Sequence, residues 1–99
     1  MNPWSVSKDK QIKRMLLSLS ERAPGRCDVA PDDGDDPRAI TLHRPDLPSL
    51  RAHVHLHGQR QGTFGVFLEY PHPVPGILET EDNLPLPRLV SCLALHFDA

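Results

Sequence analysis

The sequence predicts a small α+β domain with the element order α-β-β-β-α. Its antiparallel sheet would have three strands, or four if one short segment also pairs, and both helices would cover one face. Two runs of alternating apolar and polar residues lie mid-chain, and helix-period apolar stripes lie near both ends. At 99 residues the chain has the length of a single domain.

A β-hairpin over residues 50–70 is the best-defined element of the sequence. Apolar side chains occupy even positions in both of its runs, and an odd-length turn at residues 58–62 separates them. Only a register that pairs even with even positions puts both apolar rows on one face. We therefore expect Val54 opposite Val66 and Arg51 opposite Glu69, the second couple forming a charge pair on the outer face.

A neighbouring strand is predicted over residues 39–44, because the turn at 45–49 returns the chain antiparallel to the hairpin. Residues 27–29 are the short segment that would add a fourth strand, with Val29 opposite Ile40. An acidic loop, residues 30–38, would join the two segments. Its aspartates lack the spacing of an EF-hand calcium loop, so we interpret it as a solvated acidic turn.

Two helices complete the predicted fold. The first follows an irregular lead over residues 1–6, takes Ser7 as its N-cap and ends before Pro24. The second begins near Pro85 or Pro87, because proline suits the first turn of a helix. Residues 71–84 are interpreted as a proline-rich connector. The apolar stripes of the two helices are Ile12, Met15, Leu16 and Leu19, and Leu86, Leu89, Val90, Leu93 and Phe97.

Charge is distributed unevenly along the chain. The net charge is −2, yet residues 1–26 carry six cations against two carboxylates. A basic arm on an acidic body suits an anionic partner, and equally suits docking on the acidic loop of the same or a second protomer. With no long apolar run and no leader pattern, we expect a soluble, cytoplasmic protein, in which Cys27 and Cys92 are free thiols.

The outer face of the predicted sheet carries a row of histidines. His53, His55 and His57 project from one strand and His43 from its neighbour, which makes His43, His53 and His55 a possible metal-ligand set. Ligating imidazoles normally need second-shell acceptors, and we expect Arg51 to occupy Glu69, the one obvious acceptor. Metal binding is therefore an alternative rather than the leading interpretation.

No catalytic motif is recognisable in the sequence, so we expect neither an enzyme nor a cofactor. The α-β-β-β-α order resembles the double-stranded-RNA-binding domain in outline. Such a domain places a basic cluster at the start of its last helix, where this chain has Glu79, Glu81 and Asp82 with Arg88 as the lone cation. Nucleic-acid or regulatory binding through the basic first helix is a second alternative.

The leading hypothesis is a small non-enzymatic protein-binding module. It would be a homo-oligomer, an inhibitor or an accessory subunit that meets another protein or a second copy of itself through the outer sheet face. Phe67 and the histidine row would stand uncovered on that face, beside the hairpin tip. The predicted binding residues are His43, His53, His55, Phe67 and Arg60.

Overall fold

The computed structural model describes residues 6–71 and 78–98. Two helices and five strands form one small α+β domain, and the strands make a single antiparallel sheet in the order β1-β2-β3-β4-β5. The elements in chain order are α1 (Lys10–Arg22), β1 (Asp28–Val29), β2 (Ala39–Arg44), β3 (Leu47–His55), β4 (Thr63–Glu69), β5 (Leu78–Pro85) and α2 (Leu86–Phe97). No helix in the described part of the chain is long and apolar enough to cross a membrane.

The central hairpin, β3 and β4, has the predicted register. Val54 pairs with Val66 and Arg51 stands opposite Glu69. The even-numbered apolar side chains at the paired positions of β2, β3 and β4 are buried, which confirms the even-inward assignment for these residues: Ile40, Leu42, Leu50, Ala52, Val54, Phe64, Val66 and Leu68. The predicted Arg51–Glu69 charge pair is wrong, because the Arg51 guanidinium turns away from β4 and contacts Asp32 in the acidic loop.

The sheet has five strands rather than three or four. The short segment does pair, but Val29 lies opposite Leu42, two residues beyond the predicted Ile40. The cause is the Asp33 carboxylate, which accepts the backbone N–H of Thr41 at 2.8 Å. The loop thus folds over the start of β2, and pairing with β1 begins only after that point.

The fifth strand is the main error of the sequence prediction. β5 occupies residues that were interpreted as part of the connector 71–84, and it pairs with β4 along its length. Within residues 79–85 of β5, Leu84 is the one buried apolar side chain, and Glu79, Thr80, Glu81 and Asp82 are exposed. An edge strand with so little apolar alternation has no period-2 signal. The part of the predicted connector at residues 72–77, like residues 1–5 of the predicted lead, lies outside the described residues.

Both helices are close to prediction. α1 begins three residues after Ser7, because Asp9 is the N-cap, its side chain accepting the backbone N–H of Gln11. α2 follows Pro85 directly, with Pro87 in its first turn. The apolar stripes of the two helices and the inward side chains of the strands belong to one hydrophobic core.

Candidate functional site

The odd-numbered side chains of β2, β3 and β4 form what we call the outer face. It contains Thr41, His43, Arg51, His53, His55, Phe67 and Glu69. Phe67 is directly opposite His53 and is 41 % exposed, a large ring left in solvent beside imidazoles. The structure thus brings the predicted residues of the sheet onto one face, while Arg60 lies apart in the turn between β3 and β4.

A hydrogen-bonded chain crosses three strands at the centre of the outer face. The Thr41 hydroxyl oxygen is 3.0 Å from His53 Nδ1, and His53 Nε2 is 2.5 Å from Glu69 Oε1. An ionised Glu69 can only accept, so Nε2 carries a hydrogen, and with a neutral ring Thr41 donates to Nδ1. Both ring nitrogens of His53 are therefore engaged within the protein.

Glu69 is available to His53 because Arg51 is held elsewhere. One Arg51 nitrogen donates to both carboxylate oxygens of Asp32, at 3.0 and 3.1 Å. This hydrogen bond lowers the pKa of Asp32, and the nearby His43 acts in the same direction. The contact ties the outer face to the acidic loop.

The imidazole of His55 lies over Gly65 of the neighbouring strand. A Cβ atom at residue 65 would stand 2.5 Å from two ring atoms of His55, so only glycine leaves room for the ring in this position. The rings of Phe67 and His57 are each centred 6.3 Å from it. His55 Nδ1 is buried and has no hydrogen-bond partner among the described residues. His55 thus serves as a packing element of the face.

The contacts of these histidines do not favour the hypothesis that the outer face binds a metal ion. Within residues 6–71 and 78–98, no three His, Cys, Asp or Glu side chains are placed to share a metal ion. The set His43, His53 and His55 is spread over the face, with His53 bonded at both nitrogens and His55 packed on Gly65. The sequence placed these residues on one face correctly, but sharing a face does not make them converge.

The two cysteines are free thiols, and neither is activated. Burial raises the pKa of Cys27 to about 11. Burial, followed by the charges of Glu81 and Glu79, also raises the pKa of Cys92. The thiolate is the nucleophilic form, so both shifts oppose nucleophilic chemistry.

The hairpin tip that carries Arg60 is anchored to the edge strand β5. The backbone N–H of Arg60 donates to the Asn83 side-chain oxygen at 2.8 Å, and the Gln59 side chain accepts the backbone N–H of Asn83. Asn83 has a φ of 55°, in a region where the pairing of β4 and β5 shifts register. Arg60 is exposed on a turn whose backbone is held in place.

The acidic loop holds Lys8, which explains part of the charge asymmetry. The Lys8 ammonium lies 3.0 Å from Asp33 Oδ2 and donates to the backbone carbonyls of Gly34, at 3.0 Å, and Asp36, at 2.8 Å. Its side chain is only 4 % exposed. The basic arm therefore docks on the acidic loop of the same chain through this residue, while Asp32, Asp35 and Asp36 are exposed, as expected of a solvated acidic turn.

His96 is a buried titratable group that the sequence interpretation missed. It lies on the core-facing side of α2, where its Nε2–H donates to the Arg51 carbonyl at 2.8 Å. The rings of Tyr70 and Phe97 are each centred 5.0 Å away. Burial lowers the pKa of His96 and outweighs the Arg51 carbonyl and Glu79, which act in the opposite direction. Its place in the helical stripe, one residue before Phe97, was the available signal.

Lowering the pH should weaken the fold through His96. The pKa of His96 is about 6.5 in the unfolded state and lower in the folded state. As the pH falls, the unfolded state therefore takes up the proton first. The free energy of unfolding should fall as the pH drops below about 6.5, until the folded side chain also titrates. His96→Gln keeps a donor for the Arg51 carbonyl but does not titrate, so urea unfolding at several pH values should show a shallower decline. An unchanged decline would exclude His96 as the cause.

Comparison with known proteins yields no relative: no protein-family model, no curated protein and no solved structure matches this chain significantly.

Proposed function

We propose that this protein is a small non-enzymatic protein-binding module that engages a second copy of itself or another protein through the outer face. The observation that carries the proposal is Phe67, 41 % exposed beside His53 and His55. Aromatic residues such as phenylalanine are enriched in protein–protein interfaces relative to the rest of the protein surface. The same face would serve a homo-oligomer, an inhibitor or an accessory subunit.

The proposal requires that the helices leave the outer face open. We place both helices on the opposite side of the sheet. Support comes from the shared hydrophobic core, in which the stripes of α1 and α2 meet the even-numbered side chains of β2, β3 and β4. The outward side chains of those strands remain at least partly exposed, apart from Gly65.

The internal hydrogen bonds of the outer face favour recognition over catalysis. His53 is held by Thr41 and Glu69, and Arg51 is held by Asp32, so these polar groups are positioned before a partner arrives. Preorganised side chains lose less conformational entropy on binding. Thr41, His53 and Glu69 also stand in the order of a nucleophile, a base and an acid, but they lie on a sheet face whose side chains are at least partly exposed.

The sheet face alone is too small for a stable interface, so we expect the hairpin tip to contribute to the contact with the partner. Five strands span roughly 19 Å across, and seven residues span roughly 24 Å along a strand. A stable interface buries about 800 Å² on each partner, more than this flat area supplies. Arg60, exposed on the anchored turn, would extend the contact area beyond the sheet.

Replacing Phe67 by alanine should weaken association at least about tenfold, because a buried interfacial ring contributes roughly 1.4 kcal/mol or more. The measurement is sedimentation of the native protein and Phe67→Ala over a range of concentrations. Leu95→Ala is the matched control, since Leu95 is a large apolar side chain, 78 % exposed, on α2. Its removal should leave association unchanged.

Two results would contradict parts of this proposal. A dimer that persists in Phe67→Ala but is lost in Leu95→Ala would place the interface on α2. A native protein that stays monomeric at every concentration would exclude self-association, and the partner would then have to be another protein.

A further inference from the structure

The solvent side of α1 is a second charged surface, separate from the outer face. Its side chains recur at helical spacing opposite the buried stripe, and they are Lys10, Lys13, Arg14, Leu17 and Glu21. We call the first three of these residues the basic stripe. Lys8, the basic stripe and Leu17 line a shallow concavity. The surface thus runs from three cations through an apolar residue to a carboxylate.

The basic stripe differs from most cations of the chain in having no internal partner in the described residues. Lys8, Arg26, Arg44 and Arg51 contact carboxylates. Arg22 donates to the Ser91 hydroxyl and Arg38 to a backbone carbonyl. Besides the stripe, only Arg60 and Arg88 have no such contact within residues 6–71 and 78–98. Three of these five cations are therefore concentrated on a single helix face.

The position of the basic stripe is unfavourable for the isolated helix. Cations near a helix N-terminus oppose the helix dipole, and α1 has no acidic residue in its first turn. Lys10 and Lys13, and likewise Lys10 and Arg14, are also like charges at the spacings that bring helical side chains together. The N-cap carboxylate Asp9 offsets this cost only in part, and a local arrangement that costs stability indicates a surface for an external anion.

Two anionic occupants fit this surface poorly. A second copy of α1 would bring three cations and one carboxylate against an identical set, which is repulsive overall. Nucleic acid presents negative charge along its whole length, so Glu21 would be repelled and Leu17 would have no counterpart. Three phosphate contacts would also give only weak binding.

We propose that α1 binds an acidic amphipathic segment of a different protein. The complementary segment has acidic residues, then an apolar residue, then a cation, and extends over about twelve residues, or roughly 18 Å of helix. The acidic residues pair with the basic stripe, the apolar residue contacts Leu17, and the cation pairs with Glu21. With the proposed outer face, the protein would then present two interaction surfaces that share no residue.

Fluorescence anisotropy with labelled synthetic peptides tests this assignment. The first probe is a peptide of about twelve residues in which acidic residues are followed by a leucine and then by a lysine. The second is a peptide of the same composition in scrambled order. The third is a single-stranded DNA oligonucleotide. The native protein should bind the ordered peptide at least about tenfold more tightly than the scrambled one, a difference of roughly 1.4 kcal/mol. Added salt should weaken the binding.

Matched charge reversals locate the surface. Lys13→Glu/Arg14→Glu should weaken binding of the ordered peptide at least about tenfold, whereas Arg26→Glu/Arg88→Glu makes the same change in net charge at exposed residues outside both proposed surfaces and should alter it less than about twofold. Glu21→Lys should strengthen DNA binding and weaken binding of the ordered peptide. Because all these side chains point into solvent or lie only partly covered, thermal melting should confirm that each variant is folded.

Three outcomes would overturn the proposal. Equal binding of the ordered and scrambled peptides would show that the order of acidic, apolar and basic residues in the bound segment does not matter. DNA binding as tight as that of the ordered peptide would show a general polyanion site. Equal damage from the two charge reversals would mean that net charge, and not the face of α1, decides binding.

Discussion

Val54→Asp should lower the free energy of unfolding by at least about 3 kcal/mol. Val54 is fully buried and pairs with Ile40 on one side and Val66 on the other, so the new carboxylate would meet only apolar neighbours. A charge without partner or solvent is costly enough to leave a domain of this size largely unfolded. Urea unfolding followed by circular dichroism measures the change.

The matched control for Val54→Asp is Phe67→Asp, which places the same carboxylate on the opposite face of the neighbouring strand. It should cost at most about 1 kcal/mol, the range of strand propensities at exposed sites. Comparable losses in the two variants would mean that the sheet is covered on both faces. The open outer face, on which the proposed function depends, would then be wrong.

Lys8→Ala should cost about 2–4 kcal/mol, because it leaves a partly buried carboxylate and two carbonyls without their cation. The Asp33 side chain is mostly covered, and its other oxygen holds the backbone of Thr41. Losing Lys8 should therefore loosen the acidic loop and the start of β2 together. Urea unfolding gives the energy, and amide hydrogen exchange at Thr41 reports the local loosening.

Lys10→Ala is the control for Lys8→Ala. Lys10 lies two residues after Lys8 and carries the same charge, but its side chain is exposed. Its effect should stay within about 0.5 kcal/mol. Equal effects of the two substitutions would show that overall charge, and not the cage of oxygens around Lys8, stabilises the loop. The comparison also separates Lys8 from the basic stripe, to which Lys10 belongs.

The alternation of residues along the strands predicts which side chains lie on the outer face, but not which contacts they make there. Alternation placed Thr41, His53 and Phe67 on one face and in register, because successive side chains of a strand point to opposite sides. It did not assign the partner of His53. Arg51 stands beside Glu69 in the register, yet its long side chain reaches Asp32, a loop residue that no strand pattern positions.

The sequence by itself determined the central hairpin, its register, the even-inward core and the two helices with their buried stripes. These features follow from the period of apolar residues and from local turn and capping chemistry, which act over a few neighbouring positions. Only the tertiary structure decided the edge strand β5 and the docking of Lys8 in the acidic loop. Residues 79–85 of β5 contribute one buried apolar side chain, and β5 is held by backbone hydrogen bonds to β4. Lys8 is held by oxygens 25 or more residues away. Such contacts join residues that are distant along the chain, so no local pattern records them.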